Sequence, residues 1–228
     1  MLAVRSENGS DGQRKSFIEA ARRKQIIAAA VEVISEVGYG NASLARIAER
    51  AGISKGVISY HFAGKDELMT ELVVQLFVAG AEYMVPLIEA ETGARNRLRV
   101  YLESNLRYID ENRKHIGAMV AVALNFRKPD GTPVFDGSNE EQDVIEPLAE
   151  LLREGQRSGE FGEFDPKLMA RSIRDSIDGA GSRAVRDPDF DMPGYSAHLC
   201  RVYGLATRGE AEIEEGRRGL AIREEELS

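Results

Sequence analysis

The chain has 228 residues, of which 43% are hydrophobic and 30% charged, enough for one large domain or two small ones with a buried core. A mean hydropathy of −0.32, and no run near the roughly 18 apolar residues that a spanning helix needs, argue against a membrane protein. The polar N-terminus has no targeting signature. The single cysteine, Cys200, excludes an intramolecular disulfide framework, so we expect a cytoplasmic protein.

The charge is unevenly distributed along the chain. The net charge is −8, yet residues 1–65 hold ten Lys and Arg against six Asp and Glu, a net of +4. The remaining residues hold 20 against 32, a net of −12. A basic segment joined to an acidic remainder is typical of a protein whose one end meets a polyanion.

Apolar residues recur at helical spacing almost throughout, which predicts an all-α fold of about nine helices. A first helix over about 15–37 precedes two short helices. Ser43 caps the first of these, which ends at Gly52, and Ser54 caps the second. Ile53, just before that cap, is placed to pack against Ile58 four positions into the helix.

From Asp66 onward longer helices are predicted, over about 66–91, 95–110, 114–126, 140–157, 166–186 and 195–207. Pro147 is expected to interrupt the fourth of these, and 127–138 reads as an exposed loop. Residues 1–65 are predicted to form a helix-turn-helix domain with 1–13 disordered. Residues 66–208 would form a helical ligand-binding and dimerisation domain, and 209–228 a solvated charged tail.

The two short helices, joined by a glycine-containing turn and resting on a longer helix, have the dimensions of a helix-turn-helix. In that motif the second helix enters the major groove with its N-terminal residues towards the bases. If Ile58 turns inward, the residues that face outward are Lys55, Gly56, Ser59 and Tyr60, with Val57 near the edge. Lys55 and Ser59 can donate hydrogen bonds to bases or phosphates, and Gly56 permits close approach.

Residues 43–56 (SLARIAERAGISKG), 60–62 (YHF) and 65–68 (KDEL) resemble the N-terminal signature of the TetR/AcrR family of bacterial transcriptional regulators. The resemblance implies a homodimer that binds operator DNA and a larger helical domain with a ligand pocket. By position the resemblance implies that the first motif helix contacts phosphates through Ser43 and Arg46. It implies that the second motif helix lies in the major groove with Lys55, Gly56, Val57 and Ser59. Beyond these, it implies contacts to the DNA backbone from Tyr60, His61 and Lys65. The backbone N–H groups of the helix starts after Ser43, Ser54 and Gly64 add phosphate sites.

Other interpretations of single residues remain open. Arg14, Lys15, Arg22, Arg23 and Lys24 form a basic cluster that is either a solvated helix face or an arm touching phosphates or the minor groove. His61 has no carboxylate or cysteine at ligand spacing, so no metal site is expected. Nucleophile, nucleotide-loop and metalloprotease signatures are also missing, so we expect neither a catalytic residue nor a cofactor nor an enzyme.

The C-terminal half yields two further sets of candidates. An effector pocket, which ordinary core packing would also explain, is predicted from Met84, Leu102, Asn105, Tyr108, Met119, Ala123, Phe126, Asp175 and Asp178. If Asp175 or Asp178 faces that cavity, a cationic ligand or an arginine must compensate the charge of the buried carboxylate. An aromatic cation is therefore weakly favoured as the effector. A dimer interface, with intrachain packing as the alternative, is predicted from Ile173, Ile177, Ala180, Ala184, Leu199, Val202, Tyr203 and Ala206.

Together these patterns indicate a homodimeric repressor that binds a palindromic operator and is released by a small-molecule effector. One alternative is a helical small-molecule-binding protein or enzyme whose N-terminal helices are structural only. Another is an activator or nucleoid-type protein that binds DNA without an effector.

Overall fold

A computed structural model describes residues 8–135 and 141–209. Within these residues the chain forms nine α-helices and no strand, as the sequence predicts. The helices are α1 Asn8–Val37, α2 Leu44–Ala51, α3 Lys55–His61, α4 Lys65–Glu89, α5 Ala94–Glu111, α6 Arg113–Asn125, α7 Glu146–Arg157, α8 Pro166–Arg186 and α9 Met192–Ala206. A 3-10 turn, Tyr39–Asn41, follows α1, and a π turn, Glu141–Ile145, precedes α7.

Most helix limits follow from local chemistry. α1 ends before Gly38, whose φ of 78° is in the left-handed region that favours glycine. α8 has the predicted bounds because Asp165 caps it, accepting hydrogen bonds from the Lys167 and Leu168 amides at 2.8 and 3.0 Å.

Four predictions about segments differ from the structure or fall on residues outside the described ranges. Residues 8–13, predicted to be disordered, belong to α1, whereas residues 1–7 and the tail from 210 lie outside the described residues. Pro147 does not interrupt α7 but lies in its first turn, where a missing N–H costs nothing. α9 starts at Met192 rather than Tyr195, because Asp191 accepts a hydrogen bond from the Gly194 amide at 2.9 Å.

The chain divides into two compact units that differ from the predicted domains. Unit 1 comprises residues 8–78 and 114–135, and unit 2 comprises 79–113 and 141–209. The predicted boundary at residue 65 is displaced because Leu68 and Leu72 of α4, with Ala118 and Val122 of α6, are buried in the same core as α1 to α3. α4 is therefore shared between the units.

α4 is also long and apolar enough, by length and composition alone, to cross a membrane. One of its faces is buried in the unit 1 core through residues such as Leu68 and Met69. A second apolar face is exposed, with Val74, Phe77 and Val78 between 48 and 54% accessible.

Unit 2 is built around α5, which packs against α7, α8 and α9. The start of α5 is capped from a distance by the Glu160 carboxylate, which accepts hydrogen bonds from the Ala94 and Arg95 amides at 3.0 and 3.1 Å. Gly93 lets this happen: its φ is 80°, and a Cβ there would lie 2.9 Å from Glu160 Oε2. The two amide hydrogen bonds lower the pKa of Glu160.

We expect Glu160→Gln to lower the free energy of unfolding by about 1 kcal/mol at neutral pH, because the charged cap of α5 is lost. A carboxylate with a lowered folded-state pKa stabilises above its unfolded-state pKa, and this contribution disappears as the pH falls through the folded-state value. The difference between variant and wild type should therefore shrink on acidification, as measured by urea unfolding across this pH range. Glu163→Gln, on the exposed turn nearby, is the control, and an equal effect of both variants would refute the cap.

Candidate functional site

The candidate site is the exposed surface of α3. Its position is set by the caps of α2 and α3 and by the turn between these helices. The Ser43 hydroxyl accepts a hydrogen bond from the Arg46 amide at 3.3 Å, and the Ser54 hydroxyl accepts one from the Val57 amide at 3.3 Å. Gly52 lies between the helices with a φ of 66°, so the predicted caps and turn are confirmed. Each serine hydroxyl still has its own proton to donate to a phosphate.

One buried side chain orients α3. Ile58 is fully buried, and Ile53 packs against the same core, as the predicted staple requires. In consequence the predicted outward face is confirmed: its four residues, Lys55, Gly56, Ser59 and Tyr60, are exposed, and Val57 is half-buried.

Arg23 of α1 fixes the end of α3. Its guanidinium donates a hydrogen bond to the His61 carbonyl oxygen and lies 4.2 Å from the centre of the Phe62 ring. It also pairs with Glu71 and Glu67 of α4, at 3.2 and 3.5 Å. Arg23 therefore joins three helices and is not available as a phosphate-binding arm.

The rest of the basic cluster is heterogeneous. Arg22 donates to the side-chain oxygen of Gln25 at 2.7 Å, and Lys24 is exposed. The side chains of Arg14 and Lys15 lie outside the described residues. We did not predict from the sequence that Arg23 stabilises the fold. Its spacing of three and four residues from the apolar Ile26 and Ile27, which are buried, places it beside the core face of α1 and could have indicated this role.

Lys65 is turned towards the protein. Its ammonium donates to the Tyr39 carbonyl oxygen at 2.9 Å and lies 4.3 Å from the centre of the Tyr39 ring. Burial lowers the pKa of Lys65. The contact holds the turn after α1 against the first turn of α4.

The remaining predicted contacts lie around α3. Tyr60 is 70% accessible, and its hydroxyl is 3.4 Å from Glu19 Oε1 of α1. The half-buried His61 ring lies edge-on to the Tyr60 ring, with centroids 5.0 Å apart. Exposed Arg46 donates to the Asn41 carbonyl oxygen at 3.3 Å. No group of three potential metal ligands is found in the part of the chain that the structure describes.

The predicted effector residues do not form one set. Three of them, Met119, Ala123 and Phe126, lie on or just after α6 in unit 1, where Phe126 and Met119 pack with the core of α1 to α3. The others belong to unit 2. A surface cavity of about 670 Å³ in unit 2 is lined instead by Gln156 and residues 161–164.

The two aspartates that favoured a cationic ligand do not face a cavity. Asp175 is exposed, and Asp178 pairs with Arg174, whose Nε lies 3.0 Å from Asp178 Oδ2. An arginine of the chain itself therefore pairs with Asp178, so this aspartate gives no reason to expect a cationic effector. Burial disfavours the charged form of Arg174, but the hydrogen bonds and charge of Asp178 outweigh it and raise the pKa of Arg174.

The predicted dimer residues are mostly internal. Six of the eight are at most 7% accessible within one chain and so have almost no surface to offer a partner: Ile173, Ile177, Ala180, Ala184, Leu199 and Tyr203. The interface prediction is wrong for these six, and the intrachain alternative explains them. Val202, 39% accessible, and Ala206 are exposed on α9.

Comparison with known proteins gives consistent matches. Residues 26–72 match the model of the family described as bacterial regulatory proteins, tetR family. An HTH-type transcriptional regulator BetI from Cronobacter sakazakii is 38% identical over 47% of this chain and 52% of its own length. The chain thus aligns with about half of that relative. BetI 2 from Chromohalobacter salexigens is 28% identical over 83% of this chain and 89% of its own.

Among solved structures, the fatty acid degradation regulator FadR from Bacillus halodurans is similar with a TM-score of 0.67. It is 23% identical and covers 79% of this chain and 97% of its own. This likeness concerns the fold.

We expect Arg23→Ala to lower the free energy of unfolding by about 2 kcal/mol, because the His61 carbonyl loses its donor and Glu71 its partner. Arg22→Ala is the control: it removes a neighbouring arginine that bonds to Gln25 at the surface and should cost less than about 0.5 kcal/mol. Urea unfolding of both variants measures the difference. Equal stabilities would mean that Arg23 does not hold α3.

Proposed function

We propose that the chain is a member of the TetR family of bacterial regulatory proteins and a homodimeric repressor that releases a palindromic operator when a small-molecule effector binds. The match of residues 26–72 to the family model supports this proposal. As a transcriptional regulator it would not be an enzyme. Its site of action would be the cytoplasm, where the DNA of a bacterium lies.

The observation that carries the DNA-binding proposal is the exposed row on α3. Lys55, Gly56 and Ser59 lie on the face opposite Ile58, so that face can enter a major groove while the core stays intact. Lys55 and Ser59 would donate to base edges or phosphates, and Val57 would meet a thymine methyl group.

Phosphate contacts would surround this row. Ser43, Ser54 and Arg46 would approach one strand from the start of α2 and α3, and Tyr60 and His61 from the end of α3. An ammonium group has three donors, and Tyr39 takes one donor of Lys65, which leaves others for a phosphate.

The dimer would form through the exposed side of α9. Val202 and Leu205 are 39 and 49% accessible, and Ala206 beside them is also exposed, which gives an apolar surface on a helix otherwise packed on α5 and α8. A two-fold axis beside α9 would pair this surface with itself, and a dimer of that symmetry matches the symmetry of a palindromic operator.

Effector binding in unit 2 would act on unit 1 through the segments they share. One junction lies between Arg113 and Lys114 at the start of α6. Arg113 donates to the carbonyl oxygens of Pro188 and Phe190, both at 2.9 Å, whereas Lys114 pairs with Glu32 of α1 at 2.7 Å. A change at the α8–α9 turn would thus reach α1 through two consecutive residues, shifting the population that fits the operator.

We expect Lys55→Ala to weaken binding to the DNA upstream of the gene roughly tenfold and to lower the slope of log affinity against log salt by about one. Fluorescence anisotropy over a salt series measures both quantities. Lys128→Ala, which removes an exposed lysine of the loop after α6, is the control and should leave both unchanged. Equal affinities of the two variants at every salt concentration would place the DNA-binding surface elsewhere.

We expect Leu205→Glu to raise the dimer dissociation constant by at least roughly 100-fold, because the two-fold axis would bury two carboxylates without partners. Sedimentation velocity measures the dissociation, and circular dichroism checks that the helices are retained. Leu124→Glu changes a leucine of α6 that is more exposed, 65% accessible against 49% for Leu205, and should leave the dimer intact. A dimer that survives Leu205→Glu would exclude the α9 surface.

A further inference from the structure

Unit 2 contains a buried cation whose counter-ion lies at the surface. The Arg174 side chain, in the middle of α8, is 16% accessible, whereas that of Asp178, one turn later, is 50% accessible. The guanidinium also reaches across to α5, where Nη1 lies 3.4 Å from Asn105 Oδ1 and a further hydrogen bond joins it to Tyr101. Asn105 itself is 4% accessible, whereas Tyr101 before it and Tyr108 after it on α5 are half-buried.

The same face of α5 continues away from the cation. Tyr101, Asn105 and Tyr108 follow at i, i+4 and i+7, so their side chains lie along one face over a rise of roughly 10 Å. At its far end the Tyr108 ring is 5.5 Å from the Tyr83 ring. A Cβ on Gly80 would lie 3.4 Å from Tyr108 and 3.6 Å from Met84, so aromatic and thioether groups meet there.

The face thus has a charged end and an apolar end. Burying a guanidinium is unfavourable unless charge and hydrogen bonds compensate it. Its fork of donors matches a carboxylate or phosphate, and Asp178 now occupies that fork from the solvent side. Because Asp178 is half-exposed, it can turn into water without leaving a buried charge of its own.

We propose that Arg174 recognises an anionic group, a carboxylate or phosphate, on the effector, with Asn105 and Tyr101 beside it and Asp178 displaced into solvent. The apolar part of the effector would lie along α5 towards Tyr108 and Met84. The proposal rests on the proposed effector-responsive function and assigns its ligand class. It reverses the charge expected from the sequence, since the buried charge that needs a partner is positive.

The test uses three probes that share an apolar body and differ in head group: 4-phenylbutyrate, 4-phenylbutanol and 4-phenylbutylamine. Thermal unfolding of the full chain is followed with each probe at equal millimolar concentration. We expect the carboxylate to raise the melting temperature more than the alcohol or the amine. A larger shift with the amine, equal shifts with all three, or no shift with the carboxylate would overturn the proposal.

Two variants separate recognition from folding. Arg174→Gln should weaken phenylbutyrate binding at least about tenfold, whereas Arg157→Gln, on the exposed side of α7, should not change it. Because Arg174→Gln removes a buried group and can unfold the chain, Asp178→Asn provides the second test. It removes the competing carboxylate and should tighten phenylbutyrate binding, so weaker or unchanged binding would overturn the proposal.

Operator binding is measured separately, by anisotropy without any probe. If DNA binding fails while the carboxylate shift persists and depends on Arg174, the proposed repressor function is wrong and the anion site stands. If DNA binding holds while the carboxylate shift is missing, the anion site is wrong and the repressor function stands.

Discussion

The exposed face of α3, the proposed recognition surface, depends on the burial of Ile58. α3 has seven residues, too few to be a stable helix in water, so tertiary contacts must hold it. Ile58 supplies the apolar contact, Ser54 satisfies an amide at the start, and Arg23 satisfies a carbonyl at the end. The direction in which Lys55 and Ser59 point follows from these three constraints, since a rotation of α3 would expose Ile58.

The same contacts alter the meaning of the net charge. The +4 of residues 1–65 suggests a broadly basic surface, yet several of these cations are used within the protein. Arg23 pairs with Glu71, Arg50 with Glu36, and Lys65 binds the Tyr39 carbonyl. Among the side chains that the structure describes, the positive charge available to a phosphate is therefore concentrated on a few exposed ones such as Lys55 and Arg46, so local geometry is a better guide than the net charge.

Features fixed by neighbouring residues were predictable from the sequence. Caps at Ser43 and Ser54, the stop at Gly52 and the outward face of α3 depend on contacts within a few positions. Features that depend on distant packing were not. An apolar stripe such as Ile173 and Ile177 has the same spacing whether it faces a partner or its own core, because periodicity identifies a face and not what covers it.

The assignment of α6 failed for the same reason. Phe126 and Met119 are residue types that often line ligand pockets, yet they pack with α1 to α3. Only the fold brings these distant segments together. The burial of Arg174 was not predicted, because Arg and Asp at i, i+4 normally indicate an exposed pair on a helix surface. Its burial against Asn105 is again a long-range fact.

The position of Arg174 gives the proposed effector a route to the proposed dimer helix. Ser172 and Ser176 flank Arg174 on α8, and the Tyr203 hydroxyl of α9 donates to the Ser172 carbonyl at 2.7 Å and lies 2.7 Å from the Ser176 hydroxyl. An anion that replaces Asp178 would change the contacts of Arg174, which lies on the same turn of α8 that is hydrogen-bonded to α9. An effector shifts an equilibrium only by its differential affinity for two states, and an exchange of counter-ions at Arg174 provides such a difference. α9 would then transmit it to both protomers.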